Sequence, residues 1–243
     1  MASAALGQVY LIPTFLDEEN IAVIPAYVLD AIKECHAFFT ENERSARRYM
    51  KQLWKEMVID NFEWHTIHKA EEAVSDSFKK LIQRGMTIGI LSEAGCPGIA
   101  DPGQILVSVA QGMGAAVKPL VGPSSILLAL MASGMNGQQF QFSGYLPIDN
   151  GERMKSLKEL ESESSKKKST QIFIETPYRN NQLLETILKT CQPTTRLCIA
   201  VDITGKQEAI ITKPVSEWKK NIPDIHKRPA IFLLQANEGI RWL

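Results

Sequence analysis

The chain has 243 residues, room for one large α/β domain or two small ones, and 44% of it is hydrophobic. Its 27 lysines and arginines balance 27 aspartates and glutamates, which excludes a general electrostatic pull toward nucleic acid and leaves any RNA contact to a local patch. No apolar run approaches ~20 residues, so no membrane-spanning helix is expected. From residue 9 the pattern predicts a short strand to residue 13. The loop after it, Thr14-Phe15-Leu16-Asp17-Glu18-Glu19, has no glycine, whereas a dinucleotide-binding unit needs G-x-G-x-x-G there. A cofactor, if there is one, sits later in the chain. A helix follows over 25–35 and a second strand over 36–40. Glu41-Asn42-Glu43-Arg44 then opens a helix on which Arg44, Arg47, Arg48, Lys51 and Lys55 recur every three to four residues. That stripe reads either as a solvated face or as a contact for phosphates.

A strand is expected over 63–67, with His65 and His68 near its end, where histidine is either a packing residue or a group titrating near neutral pH. A helix over 70–84 carries the apolar stripe Ala73, Val74, Phe78, Leu81 and Ile82 and ends at Gly85. The apolar run 86–91 reads as a buried strand and 104–111 as a helix. Between them stands Ser92-Glu93-Ala94-Gly95-Cys96-Pro97-Gly98-Ile99-Ala100-Asp101-Pro102-Gly103. A loop at the carboxyl end of a strand is where open α/β sheets bind ligands. Its glycines allow close backbone approach and its prolines lower the entropy lost on ordering.

A strand over 115–119 leads to Gly122-Pro123-Ser124-Ser125, whose serines can cap the apolar helix 126–132. The pattern pauses at Asn136-Gly137, which places a domain boundary there, giving 1–136 and 137–243. The second half begins with a strand over 140–143. The charged run 151–168 reads as an exposed helix with a loose end, or as a mobile flap. Strands over 170–175, 196–201, 208–212 and 230–235 and a helix over 182–190 complete the α/β pattern. Cys35, Cys96, Cys191 and Cys198 form no C-x-x-C pair, so neither a zinc site nor a disulfide framework is expected. Met1-Ala2-Ser3-Ala4-Ala5 lacks the features of a secretory signal, and we expect a cytoplasmic protein without metal or membrane.

Residues 93–103 resemble the D-A-G-T-P-G-I-S-D-P-G loop of the tetrapyrrole methylase superfamily, which lines an S-adenosylmethionine pocket in the branch that methylates ribose in small-subunit ribosomal RNA. Leu120-Val121-Gly122-Pro123-Ser124-Ser125 resembles that branch's I-P-G-P-S-A, Ser143-Gly144-Tyr145-Leu146-Pro147 its F-x-G-F-L-P, and Phe173-Ile174-Glu175-Thr176-Pro177-Tyr178-Arg179 its F-Y-E-S-P-H-R. The resemblance spans nearly the whole chain. It implies two α/β domains with mixed sheets, the cofactor in the cleft between them, and a homodimer. Departures are equally specific. The branch's P-I-G-N loop is absent after the first strand. Its E-D-T-R-H-T is represented by Glu41 and Arg44, with Asn42 for the acid and Ser45 for the histidine. Tyr178 stands where the branch has histidine, and the branch's additional helical domain has no counterpart before Leu243.

By resemblance, Leu16, Glu93, Cys96, Ile99, Ala100, Asp101, Ser124, Ser125 and Ile126 would bind the cofactor from the first domain. Glu175, Thr176, Asp202, Ile203, Pro229 and Ala230 would do so from the second. Glu175 would act as base or acceptor-positioning group with Arg179, unless the two form only a structural ion pair. Glu41, Arg44 and Arg47 would contact an RNA substrate. The expected activity is methyl transfer from S-adenosylmethionine to a ribose hydroxyl of ribosomal RNA. Methylation of a small molecule such as a tetrapyrrole, and a non-catalytic cofactor-binding module, remain as alternatives.

Overall fold

The structure, a computed structural model, describes residues 5–67 and 72–236. His68 and the start of the helix expected from residue 70 lie outside the described residues. The chain divides into two compact units between Ser124 and Ser125.

The first unit alternates strand and helix: β1 (Gln8–Leu11), α1 (Tyr27–Glu34), β2 (Ala37–Thr40), α2 (Glu43–Leu53), β3 (Glu63–Thr66), α3 (Glu72–Gln83), β4 (Ile88–Leu91), α4 (Gln104–Met113) and β5 (Ala116–Pro119). Its five strands are parallel throughout, in the order β3-β2-β4-β1-β5. The mixed pairing expected of both sheets is thus confined to the second. Strands β2 and β4 are buried along their whole length, as central parallel strands covered on both faces must be. The two-residue period of a strand divides the core. Tyr10 and Phe38 join Val28, Ile32, Tyr49 and Met50 on one face. Val9, Ala37, Phe39, Ile88 and Ile90 join Phe78, Leu81, Ile82 and Leu106 on the other. Helix α3 ends as its glycine predicts: Gly85 has φ +75°, its N–H donates to the Ile82 carbonyl, and the Met86 N–H donates to that of Leu81.

The second unit runs α5 (Ser125–Ser133), β6 (Phe140–Tyr145), α6 (Asn150–Lys167), β7 (Thr170–Ile174), α7 (Asn180–Thr190), β8 (Arg196–Val201), β9 (Ala209–Pro214), α8 (Val215–Trp218) and β10 (Ala230–Gln235). The strand order is β6-β7-β10-β8-β9. Strands β6 and β7 are parallel, while β10 lies antiparallel between β7 and β8, and β8 pairs antiparallel with β9. Phe173 and Phe232, partners in the β7–β10 register, stack at 6.0 Å. The pause at Asn136 is an Asx turn: its Oδ1 accepts from Gln138 and Gln139 N–H at 2.9 and 3.2 Å, and it leads into β6. Helix α5, which precedes it, packs on β9 and β10, which is why the compact units part ahead of α5.

Helix α6 departs most from expectation. It is neither loose nor wholly exposed: Arg153, Leu157, Leu160 and Ser164 are buried. The Asp149 carboxylate caps its start by accepting from Glu152 N–H at 3.0 Å. Lys168, in the left-handed conformation, closes its end while Ser169 N–H reaches the Ser164 carbonyl at 3.2 Å. Charge on three faces hid the narrow fourth one, where one arginine and one serine occupy core positions. Leu157→Ala is expected to cost about 2–5 kcal/mol in urea unfolding, whereas Lys158→Ala on the outer face should stay within about 0.5 kcal/mol. Equal effects would return α6 to an appended helix.

Candidate functional site

Strands β1 and β4 are neighbours, yet the chain leaves β1 toward β2 on one side and β4 toward β5 on the other. Such a reversal opens a ligand crevice at the carboxyl ends of the strands. The loops meeting there are joined backbone to backbone. Thr14 N–H donates to the Gly95 carbonyl at 2.8 Å, forming an isolated antiparallel bridge. Gly95 has φ +75°, and a Cβ on it would stand 3.3 Å from Leu16 Cδ2. A Cβ on Gly122 would overlap Pro13 Cβ at 2.0 Å, so the loop after β5 can approach the loop after β1 only as glycine. Helix α2 adds Tyr49, whose buried hydroxyl donates to the Pro13 carbonyl at 2.6 Å and whose ring meets Phe15 edge-on at 5.3 Å. Burial pushes the Tyr49 phenol upward.

An acidic cluster stands on this frame. Glu93 N–H donates to Glu41 Oε2 at 3.1 Å, and the Ser45 hydroxyl lies 3.0 Å from Glu93 Oε1. Asn42, in place of an acid, caps α2 by accepting from Arg44 and Ser45 N–H at 3.0 and 3.4 Å. Burial, then the charges of Glu41 and Glu93, raise the Asp101 carboxyl to about 6 against a hydrogen bond from Ser92. The Cys96 thiol lies 3.5 Å from the Pro123 carbonyl, and burial followed by Asp101 pushes it upward. Ile99 is exposed, and Ala100 holds φ +64°. A cleft of about 230 Å³ lies among Thr14, Leu16, Ser45, Tyr49 and Glu93. That is below the roughly 300–1,000 Å³ usual for a small-molecule site, so it accommodates part of such a ligand.

The second unit gathers its expected residues at one sheet edge. Ala230 pairs with Val201 and Ile231 with Ile174, which sets the loops leaving β7 and β8 beside the loop entering β10. Glu175 is 5% exposed; its Oε1 accepts from Thr176 N–H at 2.7 Å and from Arg179 Nε and Nη2 at 3.0 and 2.7 Å. Its Oε2 is buried and has no partner among the described residues. Asp202, at φ +49°, accepts from Arg228 Nε at 2.8 Å, and its N–H donates to the Pro229 carbonyl at 2.9 Å. Ile203 is buried beside it.

The expected site residues therefore form two sets. Leu16, Glu93, Cys96, Ile99, Ala100, Asp101 and Ser124 belong to the first unit. Ser125 and Ile126, which open α5, and the Glu175 and Asp202 groups belong to the second. Of the basic stripe, Arg44 is exposed, Arg47 pairs with Glu43 and lies 5.2 Å from the Trp64 ring, and Arg48 pairs with Glu18 at 3.1 Å. Glu41 is engaged by the Glu93 main chain. His65 stacks on Phe39 at 4.5 Å, a packing role. Thr14, Tyr49 and Ser92 were not among the expected site residues. Only the position of Ser92, at the head of the Gly/Pro loop, could have signalled one of them.

A family model described as tetrapyrrole (corrin/porphyrin) methylases matches residues 21–219. The ribosomal RNA small subunit methyltransferase I of Escherichia coli O157:H7 is 27% identical over 241 residues, covering 98% of this chain and 81% of that protein. The protein of the same name from Bacillus subtilis is 28% identical over 212 residues, covering 87% and 69%. Among solved structures, a diphthine synthase superposes with a TM-score of 0.67 at 13% identity, covering 94% and 89%, and the methyltransferase CobJ with 0.64 at 16%, covering 97% of each chain. These structural likenesses concern the fold. Among the described residues, no group of three or more His, Cys, Asp or Glu side chains could hold a metal ion, and no helix is long and apolar enough to cross a membrane.

The acidic cluster carries a pH signature. The folded state holds the Asp101 proton up to about 6, against an ordinary value of 3.8. Between those values the folded form binds more proton than the unfolded form, so the contribution of Asp101 to stability is full below 3.8 and is lost as pH rises through 6. Asp101→Asn should flatten that decline in urea unfolding measured from pH 4 to 7; an unchanged slope would place the titration elsewhere.

Proposed function

Because this chain belongs to the tetrapyrrole methylase family and is a methyltransferase, we propose that it transfers a methyl group from S-adenosylmethionine to a ribose hydroxyl of small-subunit ribosomal RNA. The observation that carries this reading is the half-satisfied Glu175 carboxylate. One oxygen accepts from Thr176 N–H and from Arg179, while the other is buried and has no partner among the described residues. A buried acceptor without a donor costs about 1–3 kcal/mol, and an acceptor hydroxyl offers the missing donor. The names of relatives that align over most of the chain support RNA as the substrate.

When bound, S-adenosylmethionine supplies an electrophilic methyl on a positively charged sulfonium. The residues present fit such a ligand. Glu41, Glu93 and Asp101 give the cluster the charge that attracts a cation. In this reading Leu16, Cys96, Ile99 and Ala100 wall the donor, and Ser124, Ser125 and Ile126 add main-chain groups. Thr176, Asp202, Ile203, Pro229 and Ala230 are the second unit's own candidates for donor contact. Glu175 Oε2 accepts the ribose proton, and Arg179 holds the carboxylate in place through Oε1. A positioned base contributes about 10²–10⁴-fold, and alignment of acceptor with methyl up to about 7–11 kcal/mol. Arg44 on the outer face of α2 meets phosphate, with Arg47 and Glu41 shaping that surface.

Transfer of tritium from labelled donor to small ribosomal subunits tests the reading. Label should enter RNA and survive as alkali-resistant dinucleotides, because a methylated ribose oxygen cannot assist cleavage. Glu175→Gln should lower kcat by about 10²-fold or more with donor affinity retained in calorimetry. Label in a low-mass fraction would transfer the assignment to a small acceptor, and no label anywhere would leave a binding module.

The same reading includes a cytoplasmic homodimer. Leu127 and Met131, one turn apart on α5, are 51% and 78% exposed, apolar surface that a second copy would cover. Light scattering at micromolar concentration should return twice the chain mass; a monomer mass would remove this part.

A further inference from the structure

Strand β7 delivers an exposed aromatic side chain next to the buried Glu175. Tyr178 lies in the short 3-10 turn Pro177–Arg179 and is 70% exposed. Its ring is flanked by cationic and aromatic groups from the loop that precedes β10. Lys227 Nζ stands 5.8 Å from the ring centroid, and the His226 ring meets it edge-on at 6.2 Å. This pairing is built rather than incidental. Lys227 adopts φ +62°, a backbone conformation that costs a non-glycine residue energy. It is held there because its N–H donates to the Pro177 carbonyl at 2.9 Å, while Asn180 Nδ2 donates to the Arg228 carbonyl at 2.7 Å. The two loops are thus locked so that the lysine stands beside the tyrosine. At the end of β6, the parallel neighbour of β7, Tyr145 is 60% exposed and pairs in register with Ile174.

We propose that Tyr178 is a stacking platform for an unpaired base of the RNA substrate, with Lys227 on the adjoining phosphate and Tyr145 extending the surface. Exposed aromatic faces with a nearby cation are the means by which proteins hold single-stranded RNA, because every base has a π-face and every nucleotide a charge. The position next to Glu175 would set the ribose of the stacked nucleotide near Oε2. The proposal rests on the ribose-methylating reading and adds to it the residue that selects an unpaired nucleotide.

Fluorescence anisotropy of the full chain with a short labelled single-stranded oligoribonucleotide tests it at low salt. Tyr178→Ala should weaken binding by about tenfold, the loss of one stacked base, and Tyr178→Phe should restore it. Affinity for a fully paired RNA duplex, and for S-adenosylhomocysteine by calorimetry, should not change in either variant. Wild-type binding of the oligonucleotide with Tyr178→Ala within about twofold of it, or Phe as weak as Ala, would overturn the stacking role while leaving the RNA reading intact. A wild-type protein that binds a porphyrin but not the oligonucleotide would overturn both.

Discussion

The first unit depends on contact between main chains at the ends of β1, β4 and β5. Thr14 N–H donates to the Gly95 carbonyl, and Gly122 sits against the Pro13 ring where no Cβ fits. Side chains can rotate away from one another; these contacts cannot open without moving the loops themselves. The parallel sheet places the three loops together, and glycine lets them close to backbone distance. Tyr49 then fixes Pro13 from α2, so the rim of the crevice is tied to the core on both sides of the bridge.

The two units manage charge in opposite ways. In the second, each edge carboxylate has an arginine: Glu175 has Arg179 and Asp202 has Arg228. Those pairs hold loops in place. In the first, Glu41, Glu93 and Asp101 are held by N–H and hydroxyl donors, and burial, followed by the charges of Glu41 and Glu93, lifts Asp101. Among the described residues no cation pairs with this acidic cluster, which suits a positively charged ligand, whereas a neutral or anionic ligand would gain nothing from it. The zero net charge of the chain conceals this division, because whole-chain charge says nothing about which loops the acids occupy.

Most elements were legible because their periods were clean. Continuous apolar runs became β2, β4 and β8, and three-to-four-residue spacing with Gly85 became α3 and its cap. Helix α6 was misjudged because Arg153 and Ser164 fill core positions that a hydrophobic pattern does not register. The resemblance implied mixed pairing in both sheets, but the first is parallel throughout, in keeping with the helix that follows each strand. Asn42 and Ser45 looked like losses against the resembling family; in the fold one caps a helix and the other lies against Glu93.

The amino-acid sequence by itself determined the family, the alternation of strand and helix, and the Gly/Pro loop at the end of a buried strand, because each is a local property of residue order. Only the tertiary structure decided that Glu175 keeps one oxygen without a donor among the described residues, that Tyr49 and Thr14 brace the loop, and that Lys227 stands beside Tyr178. Each of these joins residues far apart in the chain, and a hydrogen bond or a ring contact depends on distance in space, which the pairing of strands sets and the order of residues does not state.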